Sequence, residues 1–197
     1  MNTASSKLDR RELVAALLAA VPEALVVTGL GSPTYDVHAT APDRAGIFHL
    51  WGAMGGAVPL GLGLALAQPE KQVIVITGDG EMLMGIGSLG TVAASRPANL
   101  SIVVLDNGHF GETGMQQSHT SLGANLAEIA SGFGIGVVLR INEPDDVDDL
   151  AKHIRCQSGP VFAHAVIATG EQPRAMPGRD GAAAKNSFRA HLGLAPL

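Results

Sequence analysis

Cysteine is nearly absent from this 197-residue chain: Cys156 alone can make no internal disulfide and no cysteine-rich metal or iron–sulfur site. Aromatic residues are scarce as well, at 4%, so the core has to be built from Ala, Val, Leu and Ile. Basic clusters are missing and the net charge is −5, which argues against nucleic acid or an anionic membrane surface as partner. The start, MNTASSKLDRRELV, lacks the apolar stretch of a secretory leader. With the lone cysteine, this makes a cytoplasmic protein the expectation. One long run, residues 50–67 (LWGAMGGAVPLGLGLALA), has no charge and is tested as a membrane span. Its five glycines, its Pro59 and the strand that follows favour a fully buried, glycine-rich helix instead.

What the chain does have is 46% hydrophobic residues, 16% charged residues and 25 glycines. That describes a compact domain whose backbones approach closely, and the length suits one ordinary domain. Helical and apolar strand patterns alternate, which predicts an α/β fold: a parallel sheet with helices on both faces. Helices are expected over 10–20, from about 54, and over 81–95, 126–132 and 144–154. Strands are expected over 24–28, 47–49, 72–77, 100–105, 137–140 and 161–167, with a turn-rich stretch at 29–33 and a polar loop at 109–123. Residues 1–170 form the domain. Residues 171–197 are a Pro-, Gly- and Ala-rich tail with a short helix near 185–192, expected to pack on a partner.

Two strand ends carry the chemistry. The strand at 72–77 runs into Gly78-Asp79-Gly80, and the strand at 100–105 into Asp106-Asn107-Gly108. In parallel α/β sheets, ligands bind beyond the carboxyl ends of the strands. An Asp carboxylate and an Asn amide oxygen are hard donors suited to Mg²⁺ or Ca²⁺, and Mg²⁺ commonly shares its coordination with phosphates and water. Gly78 and Gly80 let the backbone crowd a phosphate, and the helix that follows offers N–H groups of Glu81 and Met82. Alone, GDG or Asn-Gly is an ordinary turn. Together at consecutive buried strands they predict a metal-bridged diphosphate site.

Residues 78–107, GDGEMLMGIGSLGTVAASRPANLSIVVLDN, resemble the signature of the thiamine diphosphate (ThDP) enzymes, in which GDG is followed at a distance by Asn. Upstream, GAMG at 52–55, a small-residue helix and a strand repeat the order of that family's pyrimidine-contacting segment. The resemblance spans about residues 8–167 and points to the diphosphate-binding (PP) domain. Within the family the chain resembles the small beta subunits of sulfopyruvate and phosphonopyruvate decarboxylases, which share GSL-x-T and DNG-x-x-x-x-TG-x-Q (here 87–91 and DNGHFGETGMQ).

The resemblance implies that Asp79, Asn107 and the backbone carbonyl of His109 ligate Mg²⁺. It also implies that N–H groups of Gly80 and Glu81 hold the diphosphate, with Gly31 and Ser32 at its other face. The Gly52 carbonyl and Met54 N–H would bond the aminopyrimidine. Met54's side chain would force the cofactor into a bent V, so that its own amino group reaches the thiazolium C2–H. In such enzymes a second, pyrimidine-binding (PYR) domain supplies a catalytic carboxylate, and this chain carries no second motif set. A separate alpha subunit, a hetero-oligomer of α2β2 type or larger and a small 2-oxoacid substrate are therefore expected. The apolar face from Trp51 to Gly63 is the candidate docking surface, or ordinary core.

Three departures bear on the substrate. The related decarboxylases carry an Arg-Glu pair after the first strand, whereas GLGSPTYDVHAT has no cation, so an anionic substrate head is in question. Trp51 stands where those subunits have a smaller residue. Glu81 follows GDG, and a carboxylate there is expected to turn away from a diphosphate. Glu112 and His119, in the loop after Asn107, are candidate substrate contacts or proton shuttles. A carboligase subunit or a non-catalytic diphosphate-binding module remain alternatives. A dinucleotide site is disfavoured because no G-x-G-x-x-G follows the first strand.

Overall fold

The computed structural model describes residues 8–50 and 52–197. Its centre is one six-stranded sheet, all parallel, in the order β2-β1-β3-β4-β8-β7. The strands are β1 (Leu25–Thr28), β2 (Ile47–His49), β3 (Val73–Gly78), β4 (Leu100–Asp106), β7 (Val137–Ile141) and β8 (Val161–Val166). A hairpin of β5 (His109–Phe110) and β6 (Gln116–Gln117) stands apart from it. The helices are α1 (Arg10–Ala20), α2 (Ser32–Thr40), α3 (Ala57–Ala67), α4 (Asp79–Met84), α5 (Ser88–Ser95), α6 (Leu126–Gly132), α7 (Asp146–Arg155) and α8 (Gly181–His191).

The central strands are apolar on both faces because both faces are covered. Val26, Ile74, Ile76 and Val103 pack with Leu13, Val14 and Leu17 of α1 and Leu150 and Ile154 of α7. Val27, Val75, Ile102 and Val104 pack with Val58 and Leu62 of α3, Met82, Leu89 and Leu126. The expected doubly covered sheet is the fold observed. Strand β3 pairs directly with β4, Gly78 opposite Leu105, so the GDG and DNG turns are neighbours.

Four local expectations need correction. The helix expected over 81–95 is two helices, broken at residues 85–87. Gly85 meets the backbone of Gly55, and a Cβ there would lie 2.4 Å from the Gly55 carbonyl oxygen. The turn-rich stretch at 29–33 gives way to a helix at Ser32, because Pro33 in the first turn presets the helical φ. The loop at 109–123 contains the β5–β6 hairpin and two 3₁₀ turns. Helix α3 begins at Ala57 rather than near Met54, and only one of its faces is buried. Gly61 and Leu62 turn inward, while Leu60 is 39% and Leu66 55% exposed.

No helix among the described residues is long and apolar enough to cross a membrane. The tail helix α8 lies against its own chain, where Phe188 meets Phe48 of β2 edge to face. Between β8 and α8 the chain runs back over the carboxyl end of the sheet. Ala168 N–H donates to Leu8 O, and Arg11 donates to Pro173 O. Trp51 and residues 1–7 lie outside the described residues.

Candidate active site

A cleft opens at the carboxyl ends of β1, β3 and β4, lined by Ser32, Met54, Asp79, Gly80, Asn107 and His109, among others. Each comes from a segment that the sheet order brings to one end. Ser32 opens α2, Met54 precedes α3, Asp79 opens α4 and Asn107 follows β4.

Asp79 is 3% exposed. Its Oδ2 accepts hydrogen bonds from the hydroxyls of Ser118 and, at 3.3 Å, Thr120. Burial raises its carboxyl above the ordinary range, the Ser118 hydroxyl opposes this, and the nearby Asp106 carboxylate adds to it. Thr120 Oγ1 also donates to Asp106 Oδ1 at 2.8 Å, and Asp106 Oδ2 lies 2.7 Å from His164 Nε2. Burial alone would raise Asp106. Hydrogen bonds from His164 and Thr120, with the His164 charge, more than offset that and hold it below its usual value. Hydroxyls of one loop thus bridge two carboxylates at adjacent strand ends.

Asn107 Oδ1 accepts the His109 N–H at 2.9 Å, a turn that leaves a second lone pair on the amide oxygen. Gly80 must be glycine: a Cβ there would lie 2.5 Å from the Phe110 ring. The oxygens of Asp79 and Asn107 with a backbone carbonyl suit a hard divalent ion that takes its remaining ligands from phosphate and water. Among the described residues there is no group of three or more His, Cys, Asp or Glu side chains that could hold a metal. An ion here therefore depends on such sharing. The donor set fits.

Glu81 is buried, and its Oε2 accepts from Thr77 Oγ1 and Leu30 N–H, both at 2.9 Å. It is turned to the end of β1, and burial raises its carboxyl above the usual range. Gly31, at φ +78°, lies beneath the Glu112 side chain. Met82 is core: the whole residue is 1% exposed, and it is not part of the cleft lining. Gly52 is exposed and has nothing near its α-carbon face. Glu112 lines the cleft and lies 3.5 Å from Arg174. His119 is not brought to the cleft: it is exposed on a 3₁₀ turn whose neighbours Ser118 and Thr120 turn inward instead.

With this geometry in view, the comparisons are specific. Residues 31–165 match the thiamine pyrophosphate enzyme, C-terminal TPP binding domain. The chain belongs to that family. It is 36% identical over 163 residues to the sulfopyruvate decarboxylase subunit beta of Methanothermobacter thermautotrophicus, covering 83% of this chain and 84% of that one. It is 39% identical over 155 residues to the phosphonopyruvate decarboxylase of Streptomyces viridochromogenes, covering 78% of this chain but 38% of that protein. Its fold matches the benzoylformate decarboxylase of Polynucleobacter necessarius at TM-score 0.70 and 15% identity, over 88% of this chain and 35% of that one. This ThDP-family chain is thus coextensive with a subunit in one relative and with about a third of the chain in others.

Sequence reasoning missed two features of the site. The Ser118–Thr120–Asp106–His164 network was invisible because hydroxyl contacts carry no periodicity. The cations were looked for after β1 alone, yet Arg10 reaches the cleft from α1, and Arg174 lies over the Tyr35 ring from the tail.

Proposed function

We propose that this chain is the beta-type, PP-domain subunit of a two-chain, ThDP- and Mg²⁺-dependent 2-oxoacid decarboxylase. Its product is an aldehyde or a transferable acyl unit. The observation that carries the proposal is the joint placement of Asp79, Asn107 and Met54 around one cleft, all within the residues matched to the TPP binding domain. When bound, ThDP supplies the electron sink for C–C cleavage.

The chain's residues do the holding. Asp79, Asn107 and the His109 carbonyl would hold the Mg²⁺ beside the diphosphate. Backbone N–H groups of Gly80 and Glu81 and the Gly31–Ser32 turn hold the diphosphate itself. Met54, which lines the cleft and is 41% exposed, would support the bent cofactor, and Gly52 and Met54 would offer backbone groups to its pyrimidine.

The missing wall supports a second chain. The exposed face of α3, with Leu60, Leu66 and nearby Met84, has no cover among the described residues. The alpha-type partner with its PYR domain and catalytic Glu is assigned there, because small and apolar residues permit close packing. The relatives' names make short anionic 2-oxoacids the first substrates to test.

The experiment is CO₂ release from a 2-oxoacid panel by the two chains expressed together, with Met54→Ala as the diagnostic variant. ThDP affinity should hold within a few-fold while turnover falls by about 10²-fold, the cost of a misplaced reacting geometry. Turnover unchanged in Met54→Ala, or no CO₂ release from any 2-oxoacid, would contradict the proposal.

A further inference from the structure

Arg10 is 6% exposed, unusual for an arginine, and it lines both the cofactor cleft and the cavity beside it. Its Nε lies 3.0 Å from Asp36 Oδ2, a contact of charges without the alignment of a hydrogen bond. Its terminal nitrogens make no hydrogen bond among the described residues. Of its nitrogens only Nε is fully buried without a hydrogen-bond partner, so the terminal N–H donors are the part of the guanidinium open to the cleft.

The nearby carboxylates do not answer those donors. Asp36 is fully buried and shared with Arg11, whose Nε is 3.0 Å from Oδ1 and whose Nη2 donates to Pro173 O. One carboxylate thus faces two arginines, which leaves a surplus positive charge. Asp9 turns its oxygens to the α1 amides and to Gln172. Glu112 lies 3.5 Å from Arg174. Among the described residues lining the cofactor cleft, Arg10 is the one Lys or Arg, and Ser32 and Asn107 share both of its cavities.

We infer that Arg10 is an anion-binding residue of the cleft, donating its terminal N–H groups to the distal phosphate of the bound diphosphate. The inference rests on the ThDP reading above. It assigns to α1, which lies outside the residues matched to the family domain, a direct part in holding the cofactor. Asp36 then acts as a positioning residue: it holds the guanidinium from behind and leaves its fork toward the phosphate. A planar fork suits two phosphate oxygens better than an ammonium does.

The test compares ThDP with thiamine monophosphate, which lacks the distal phosphate. Binding is measured by calorimetry with Mg²⁺ on this chain together with its partner. Arg10→Gln should weaken ThDP binding about 10- to 100-fold, the range of a charge-assisted hydrogen bond, and leave thiamine monophosphate within about twofold. Arg10→Lys keeps a charge against Asp36 and should lose a smaller part of the same selectivity; it is the variant to read if the glutamine protein fails to fold. Arg11→Gln should not discriminate between the two ligands.

Equal losses for both ligands would reduce Arg10 to a structural role and overturn the inference, with the site reading intact. Unchanged ThDP affinity with a raised KM for the 2-oxoacid would also overturn it, since the anion would then be the substrate. Failure of the wild-type complex to bind ThDP at all would sink the site reading and this assignment with it.

Discussion

Asp79 is 3% exposed and Met54 is 41% exposed, although both line one cleft. At the Asp79 end the chain supplies its own second layer. Ser118 and Thr120 hold the carboxylate, Asp106 and His164 hold Thr120, and Gly80 admits the Phe110 ring. At the Met54 end the backbone is set by the Gly55–Gly85 contact, but the side chains face outward over an uncovered helix. Complete burial of a large aliphatic side chain contributes about 1.5–3 kcal/mol, so the exposed Leu60 and Leu66 of α3 and Met84 of α4 could add to association if a partner covered them. The contrast teaches that the Asp79 end is built by this chain's own side chains, whereas the Met54 end is left open; under the proposed reading these are the diphosphate end and the pyrimidine end that a partner would complete.

The largest expected effect lies at the closed end. Asp79→Ala removes a proposed metal ligand outright and should weaken Mg²⁺-dependent ThDP binding by at least about 100-fold, beyond the usual cost of an outer-layer change. Affinity equal to wild type, measured by calorimetry, would show that the metal is held elsewhere. Thr120→Val keeps the shape but deletes the hydroxyl between Asp79 and Asp106. It should cost about 10- to 100-fold in Mg²⁺-dependent affinity, and Thr120→Ser should restore most of it. If valine and serine behave alike, the hydroxyl bridge has no part in positioning Asp79.

The smallest effect belongs to the open end, at His49, which ends β2 just before the 52–55 segment. Burial, with His38 beside it, lowers its pKa from 6.5 to about 4. The folded chain therefore keeps His49 neutral, while the unfolded chain takes up a proton below about pH 6.5. The stability that this supplies is full above pH 6.5 and is lost as pH falls toward 4. The loss is about 1–3 kcal/mol. His49→Gln should flatten that limb in urea titrations between pH 7 and 4.5, without changing ThDP affinity at pH 7. An unchanged slope would mean that other groups set the acid limb.

The closed end was largely legible in the sequence and the open end was not. Apolar β-branched runs ending in GDG and DNG fix both the parallel strands and the residues at their carboxyl ends, so Asp79 and Asn107 could be placed as neighbours. Local chemistry carried that far. Arg10 was missed because its role depends on α1 passing over the strand ends, a relation between residues far apart in sequence. His119 was preferred to Ser118 and Thr120 because titratable side chains draw attention in a loop, yet the backbone turns the hydroxyls inward. Helix α3 read as core because uncharged runs normally are. A helix that buries one apolar face in its own chain and presents another has the same composition.

The most direct test is ThDP binding by calorimetry, with and without Mg²⁺, on this chain alone and then with its PYR-domain partner. The account predicts weak or undetectable binding by the single chain and tight, Mg²⁺-dependent binding by the pair. Binding of equal strength by the single chain, or binding indifferent to Mg²⁺ in both, would contradict an active site shared between two chains.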